Sequence, residues 1–210
     1  MDSFFIRVYA REITTQCEFA LYAVNNLNAS LQRLQHQELS AEERHFFHSE
    51  VFRQTHSFLT HASNISRMFW PPLPVQKKNE SDEEYENRLL RNDKAIRSRT
   101  LKNEYGIEEN NPLKNRKLRD HLEHYDERLD HWRNNSTHRN IASDTIGPRN
   151  SISGLQETDM MRWFDPTRNF FQFRGEEYNL QEIATAVDLL LPISQAIEEN
   201  AWGRMTGRNA

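Results

Sequence analysis

The chain holds one cysteine, Cys17, and only six glycines in 210 residues. A single thiol cannot form an internal disulfide, so no disulfide framework supports this fold. Cys17 falls on the apolar stripe of the first predicted helix, where a small buried thiol is ordinary packing. There is no glycine-rich phosphate loop, no paired-cysteine zinc pattern and no G-x-S-x-G elbow. Those absences remove nucleotide triphosphatases, zinc modules and serine hydrolases from consideration. No apolar run approaches the roughly 18 residues of a membrane-spanning helix, and the opening "MDSFFIRVYAREITTQ" has no signal-peptide core. The expectation is a cytoplasmic protein with no membrane association.

What is present fits a folded, mostly helical chain. Aromatic residues make up 10% of it, too many for a disordered segment to carry in water. Ile6, Tyr9, Ile13, Cys17, Ala20, Leu21, Val24, Leu27, Leu31 and Leu34 recur at three- and four-residue steps, which predicts a first helix of about eight turns. A second starts behind Ser40, with Glu43 completing a capping box, and carries Phe47, Val51, Phe58, Ala62, Ile65 and Phe69 until "PPLP" at 71–74 stops it. A third opens at Ser81 with Glu84 and closes at Gly106, a residue suited to a left-handed cap. A fourth is expected over roughly 113–132, and a last one behind Asn179 with Glu182, kinked at Pro192.

Between the last two helices the pattern changes. Residues 133–160 are polar and without periodicity, which predicts a long loop. Over 161–178, aromatic residues are broken by "DPT" and "RGE", the chemistry of a small β-hairpin. The expected fold is therefore all-α, a bundle of about five helices with a small aromatic β-hairpin inserted before the last helix. It forms a single domain over 1–202, with a frayed tail at 203–210.

The fourth helix reads "LRDHLEHYDERLDHW", residues 118–132. At about 100° per residue, Leu118, Leu122, Tyr125, Leu129 and Trp132 form a seam expected to be buried. Arg119, Asp120, Glu123, His124 and His131 lie off it. A solvated face of local ion pairs accounts for such residues. As a metal site, His121, His124 and His131 with Asp120 or Glu127 match no standard spacing and have guanidiniums beside them, so neither a metal nor a cofactor is expected. Phosphodiester chemistry gives the remaining reading. Arg119 can hold a phosphate with two prongs, and His124 supplies an imidazole, the side-chain type suited to moving the proton of a ribose hydroxyl or a leaving oxygen. One convex helix makes a shallow site, so two copies facing across a twofold axis are expected to build the cleft as a homodimer.

Arg119-Asp120-His121-Leu122-Glu123-His124 resembles the R-x4-H motif of the HEPN superfamily, over roughly residues 1–132. That resemblance implies a helical bundle, commonly dimeric, and a metal-independent endoribonuclease of a toxin–antitoxin or phage-defence system. Arg119 and His124 would be its catalytic pair, with Asp120 helping to position them. It also implies RNA, and an antitoxin or other protein, as partners. Arg116 and His121 satisfy the same spacing with Lys117 in the polar position; the Arg119 register is preferred because His121 lies nearer the leucine seam. From Arg88 to Arg119 ten Lys/Arg stand against four Asp/Glu in a chain of net charge −4. Arg97, Arg99, Lys102, Lys114, Arg116 and Lys117 are the candidates for following an RNA backbone. A non-catalytic HEPN-like module that binds nucleotides, RNA or protein fits the same residues.

Overall fold

The computed structural model describes residues 2–149 and 151–207. These are 65% helical, with seven α-helices and one small sheet. The helices are α1 (Ser3–Leu34), α2 (Ala41–Phe69), α3 (Asp82–Leu90), α4 (Asp93–Tyr105), α5 (Lys117–Glu123), α6 (Tyr125–Asn135) and α7 (Leu180–Thr206). The strands are β1 (Thr145–Ile146), β2 (Trp163–Asp165), β3 (Phe170–Phe173) and β4 (Glu176–Asn179).

The predicted helix starts form as the sequence dictates. The Ser40 and Ser81 hydroxyls accept the Glu43 and Glu84 backbone N–H, and each glutamate carboxylate accepts the serine N–H in return. Ahead of α7, the Asn179 side-chain oxygen accepts the Glu182 backbone N–H, and its side-chain amide donates to the Glu182 carboxylate. Gly106 ends α4 in the left-handed region, at φ 62°.

Two predicted helices are each divided. The expected third helix is interrupted at Arg91–Asn92, because the Asn92 side chain accepts from the backbone N–H of Lys94 and Ala95 and starts α4 afresh. The expected fourth is interrupted at His124, whose backbone (φ −103°, ψ 39°) leaves the helical region. Neither proline nor glycine occupies that position. The flanking segments instead pack on the same ring, with His121 of α5 and Tyr125 of α6 both against Phe173. The leucine seam is correspondingly shallow: Leu118 is buried, while Leu122, Tyr125 and Leu129 are half-buried.

The expected hairpin is the central part of a four-stranded mixed sheet, ordered β1-β2-β3-β4. Arg174 and Gly175, both at positive φ, form the two-residue turn between β3 and β4. Strand β2 pairs antiparallel with β3, and the two-residue β1 pairs parallel with β2. Residues 133–160 thus contain structure that composition did not announce. Ala142 and Met160 form an isolated bridge and pack with Trp163, and Leu155 covers them. Helix α7 runs to Thr206, through most of the described part of the segment expected to fray; residues 208–210 lie outside the described residues.

The chain groups into two compact units. The first comprises residues up to Phe19, His61–Asn115 and Ala186 onward; the second comprises Ala20–Thr60 and Arg116–Thr185. Within the first, Ser194 of α7 is fully buried; its hydroxyl donates to the Ala10 carbonyl at 2.8 Å and lies 3.1 Å from Thr14 Oγ1 and 2.9 Å from the Tyr105 hydroxyl. The second contains the sheet, α5 and α6. Among the described residues no helix is long and apolar enough to cross a membrane.

Candidate functional site

Within the second unit, Arg119 sits on α5 with its side chain only 11% exposed. Its guanidinium pairs with Asp120 at 3.2 Å and with Glu123 one turn on. His124 occupies the single residue between α5 and α6, with a side chain 55% exposed and Nδ1 3.3 Å from a Glu127 carboxylate oxygen. The motif therefore consists of an acid-clamped guanidinium followed by an outward imidazole. Its backbone at His124 is in the sparsely populated bridge between helix and strand, where active-site residues often sit.

The alternative register looks different. His121 is mostly buried and lies parallel to Phe173, and among the described residues neither of its ring nitrogens has a hydrogen-bond partner. Desolvation lowers its pKa; the Glu176 carboxylate, 3.8 Å away, opposes that only in part. An imidazole held neutral against an aromatic ring packs well and is poorly placed to take up a proton. Arg116 is half-buried.

The basic residues proposed to follow an RNA backbone divide between the units, with Arg97, Arg99, Lys102 and Lys114 in the first and Arg116 and Lys117 in the second. Lys102 and Lys114 both contact Glu109, at 2.5 and 2.8 Å, and hold its pKa down to about 2. Arg97 donates to the Arg67 carbonyl, and Lys117 pairs with Glu176 at 2.7 Å. Arg99 is exposed.

The sequence reading passed over a second constellation in the same unit. Helix α2 carries His45, His48, Phe52 and His56 at steps of three and four residues, with Arg53 eight residues on from His45, so all five share one face. That face borders a cleft of about 590 Å³. Buried Phe52 and Phe171, whose rings lie 6.3 Å apart, floor it together with half-buried Leu122 of α5. Across from α2 lie Ser143, Asp144 and Arg162. Arg162 pairs with Asp144 at 2.7 Å and stacks over Tyr125, 4.6 Å from its centroid, while Tyr125 and Ser143 share a hydroxyl–hydroxyl bond of 2.9 Å. Leu122 lies between Arg119 and His124 in the chain, so the motif helix forms part of the cleft, although neither motif residue lines it. The usable signal was His45, His48 and His56 with Arg53 on one helical face; the stronger apolar stripe of α2 concealed it.

Among the described residues no group of three or more His, Cys, Asp or Glu is placed to hold a metal ion. Compared with models of known protein families, with curated proteins and with solved structures, the chain matches none.

Proposed function

We propose that the chain is a HEPN-like endoribonuclease that cleaves single-stranded RNA without a metal, in which Arg119 binds the scissile phosphate, His124 moves protons and Asp120 positions the guanidinium. One observation carries this reading: His124 stands at a helix interruption with an exposed ring whose Nδ1 faces Glu127. A carboxylate facing Nδ1 favours the tautomer that leaves Nε2 free to accept a proton. Nε2 takes the proton of the 2′-hydroxyl as that oxygen attacks phosphorus, the P–O5′ bond breaks, and the leaving oxygen receives a proton from an imidazolium or from water. The products carry a 2′,3′-cyclic phosphate and a 5′-hydroxyl. In the proposed homodimer two copies of this face close around the strand, and His124 of the second copy supplies the leaving-group proton. A restraining antitoxin or similar protein partner belongs to the same proposal.

A second reading, a binding module without catalysis, is favoured by the state of Arg119. Its guanidinium is mostly buried and paired with Asp120 and Glu123, so a phosphate must displace at least one carboxylate before Arg119 can bind it. Incubating purified protein with single-stranded RNA in EDTA separates the two. The enzyme reading expects cyclic-phosphate ends and a loss on the order of 10²–10⁴-fold in His124→Ala. Arg119→Ala should lose about as much through charge stabilisation. Equal cleavage by His124→Ala overturns the assignment; no cleavage by the wild type leaves the binding module. Light scattering that finds only monomer at micromolar concentration removes the shared-cleft mechanism.

A further inference from the structure

The cleft beside α2 combines features that a solvated face does not need. Arg53 donates from Nε and Nη2 to Glu50, and Arg162 donates from Nη2 to Asp144 and holds Nε 2.7 Å from its other carboxylate oxygen. Each guanidinium is thereby fixed in orientation by a carboxylate while its Nη1 edge has no hydrogen-bond partner among the described residues. The rings of His45, His48 and His56 likewise make no side-chain hydrogen bond there, which leaves donors and acceptors facing the cleft. Beneath them the floor is apolar and aromatic, and the His48 and Phe52 rings lie 5.4 Å apart. Cations and imidazoles around an aromatic floor suit a ligand with a flat ring at one end and an anion at the other. A volume of about 590 Å³ is within the size range of small-ligand pockets.

We infer that this cleft seats one nucleotide of a single-stranded RNA, with the phosphate between Arg53 and Arg162 and the base over Phe52 beside His48. The inference rests on the RNA reading above and adds a strand-holding subsite separate from the Arg119/His124 pair. Leu122 joins the two, because it lines the cleft from the helix that carries the motif. The subsite does no chemistry; it sets which phosphate reaches the motif.

Binding is measured on the full chain in EDTA by fluorescence anisotropy of a labelled short oligoribonucleotide, with unlabelled AMP and inorganic phosphate as competitors. Arg53→Gln and Arg162→Gln should each weaken binding on the order of tenfold, the range for losing one charge-assisted hydrogen bond. Arg53 is exposed and among the described residues pairs only with Glu50 on its own helix, so its substitution tests the cleft even if Arg162→Gln disturbs the loop around Asp144. Competition by AMP identifies a free nucleotide as sufficient; displacement only by RNA identifies the strand. Wild-type affinity in Arg53→Gln, or no binding by the wild type, overturns the inference. Cleft-dependent binding without cleavage upholds it and removes the ribonuclease reading. Cleavage with unchanged affinity and rate in Arg53→Gln does the reverse.

Discussion

The ring of His121 lies parallel to that of Phe173, with centroids 5.0 Å apart and planes within 13°. Burial against that ring lowers the imidazole's pKa in the folded state, as burial does for His61 in the other unit. In the unfolded chain both histidines return to the ordinary value of about 6.5. Between the lowered values and the ordinary one, the unfolded state binds more protons. Stability is therefore highest above that window and falls as the pH drops through it. Urea midpoints at about pH 8 and about pH 5 should show this loss. His121→Phe keeps an aromatic ring in place and removes one titrating group, so its loss should be smaller; an unchanged pH dependence would show that His121 does not contribute.

Ser194 lets three polar groups share one buried point. Ser194→Ala removes the extra hydrogen bond to the Ala10 carbonyl and the oxygen that Thr14 and Tyr105 contact. Leaving buried groups unsatisfied should cost about 1–3 kcal/mol. Tyr105→Phe removes one partner only and should cost less. Chemical denaturation of the two variants gives the order, and equal values would refute it.

Asp159 is 1% exposed and accepts hydrogen bonds from Trp132 Nε1 at 2.9 Å, Ser136 Oγ at 3.2 Å and the Gln156 backbone N–H at 3.3 Å. It thus ties the end of α6 to the turn before β2. Asp159→Ala should destabilise the protein by about 2–3 kcal/mol, since several donors lose a partner together. Hydrogen exchange near residues 156–162 should rise, and protection as in the wild type would refute this role.

Gly106 has a left-handed backbone, and a Cβ built there meets no atom within 4 Å. Any penalty for Gly106→Ala is therefore conformational, about 1 kcal/mol. Gly106→Asn, with its local hydrogen bond, should cost less. Thermal denaturation ranking Asn at or below Ala would contradict this account.

The predicted features that appear in the structure are those encoded locally. The Ser40/Glu43 and Ser81/Glu84 boxes, the Asn179/Glu182 exchange and the Gly106 cap each need only a few neighbouring residues. The interruption at Asn92 was equally local, since an asparagine followed by Asp93 is an N-cap signal; the apolar residues flanking it carried the reading across. The interruption at His124 was not local, because His121 before it and Tyr125 after it both pack on Phe173, about fifty residues further along the chain. Strand β1 is two residues long and pairs with Trp163 and Phe164, too short for any periodicity to mark. The cleft was hidden for a related reason. Its α2 face is legible, but Ser143, Asp144 and Arg162 come from segments whose approach only the fold determines.

The buried hydroxyl cluster also bears on how the protein is made. Thr14 and Ser194 are 180 residues apart in the chain. At a ribosomal rate of about 5–20 residues per second, about ten seconds or more separate their synthesis. The hairpin and its neighbour β2 need only adjacent segments, so they can pair while later residues are still being added. Until Ser194 is available, the Thr14 hydroxyl and the Ala10 carbonyl of α1 lack this shared buried partner. The first unit is thus completed late, and until then the apolar face of α1 that it covers stays open to solvent.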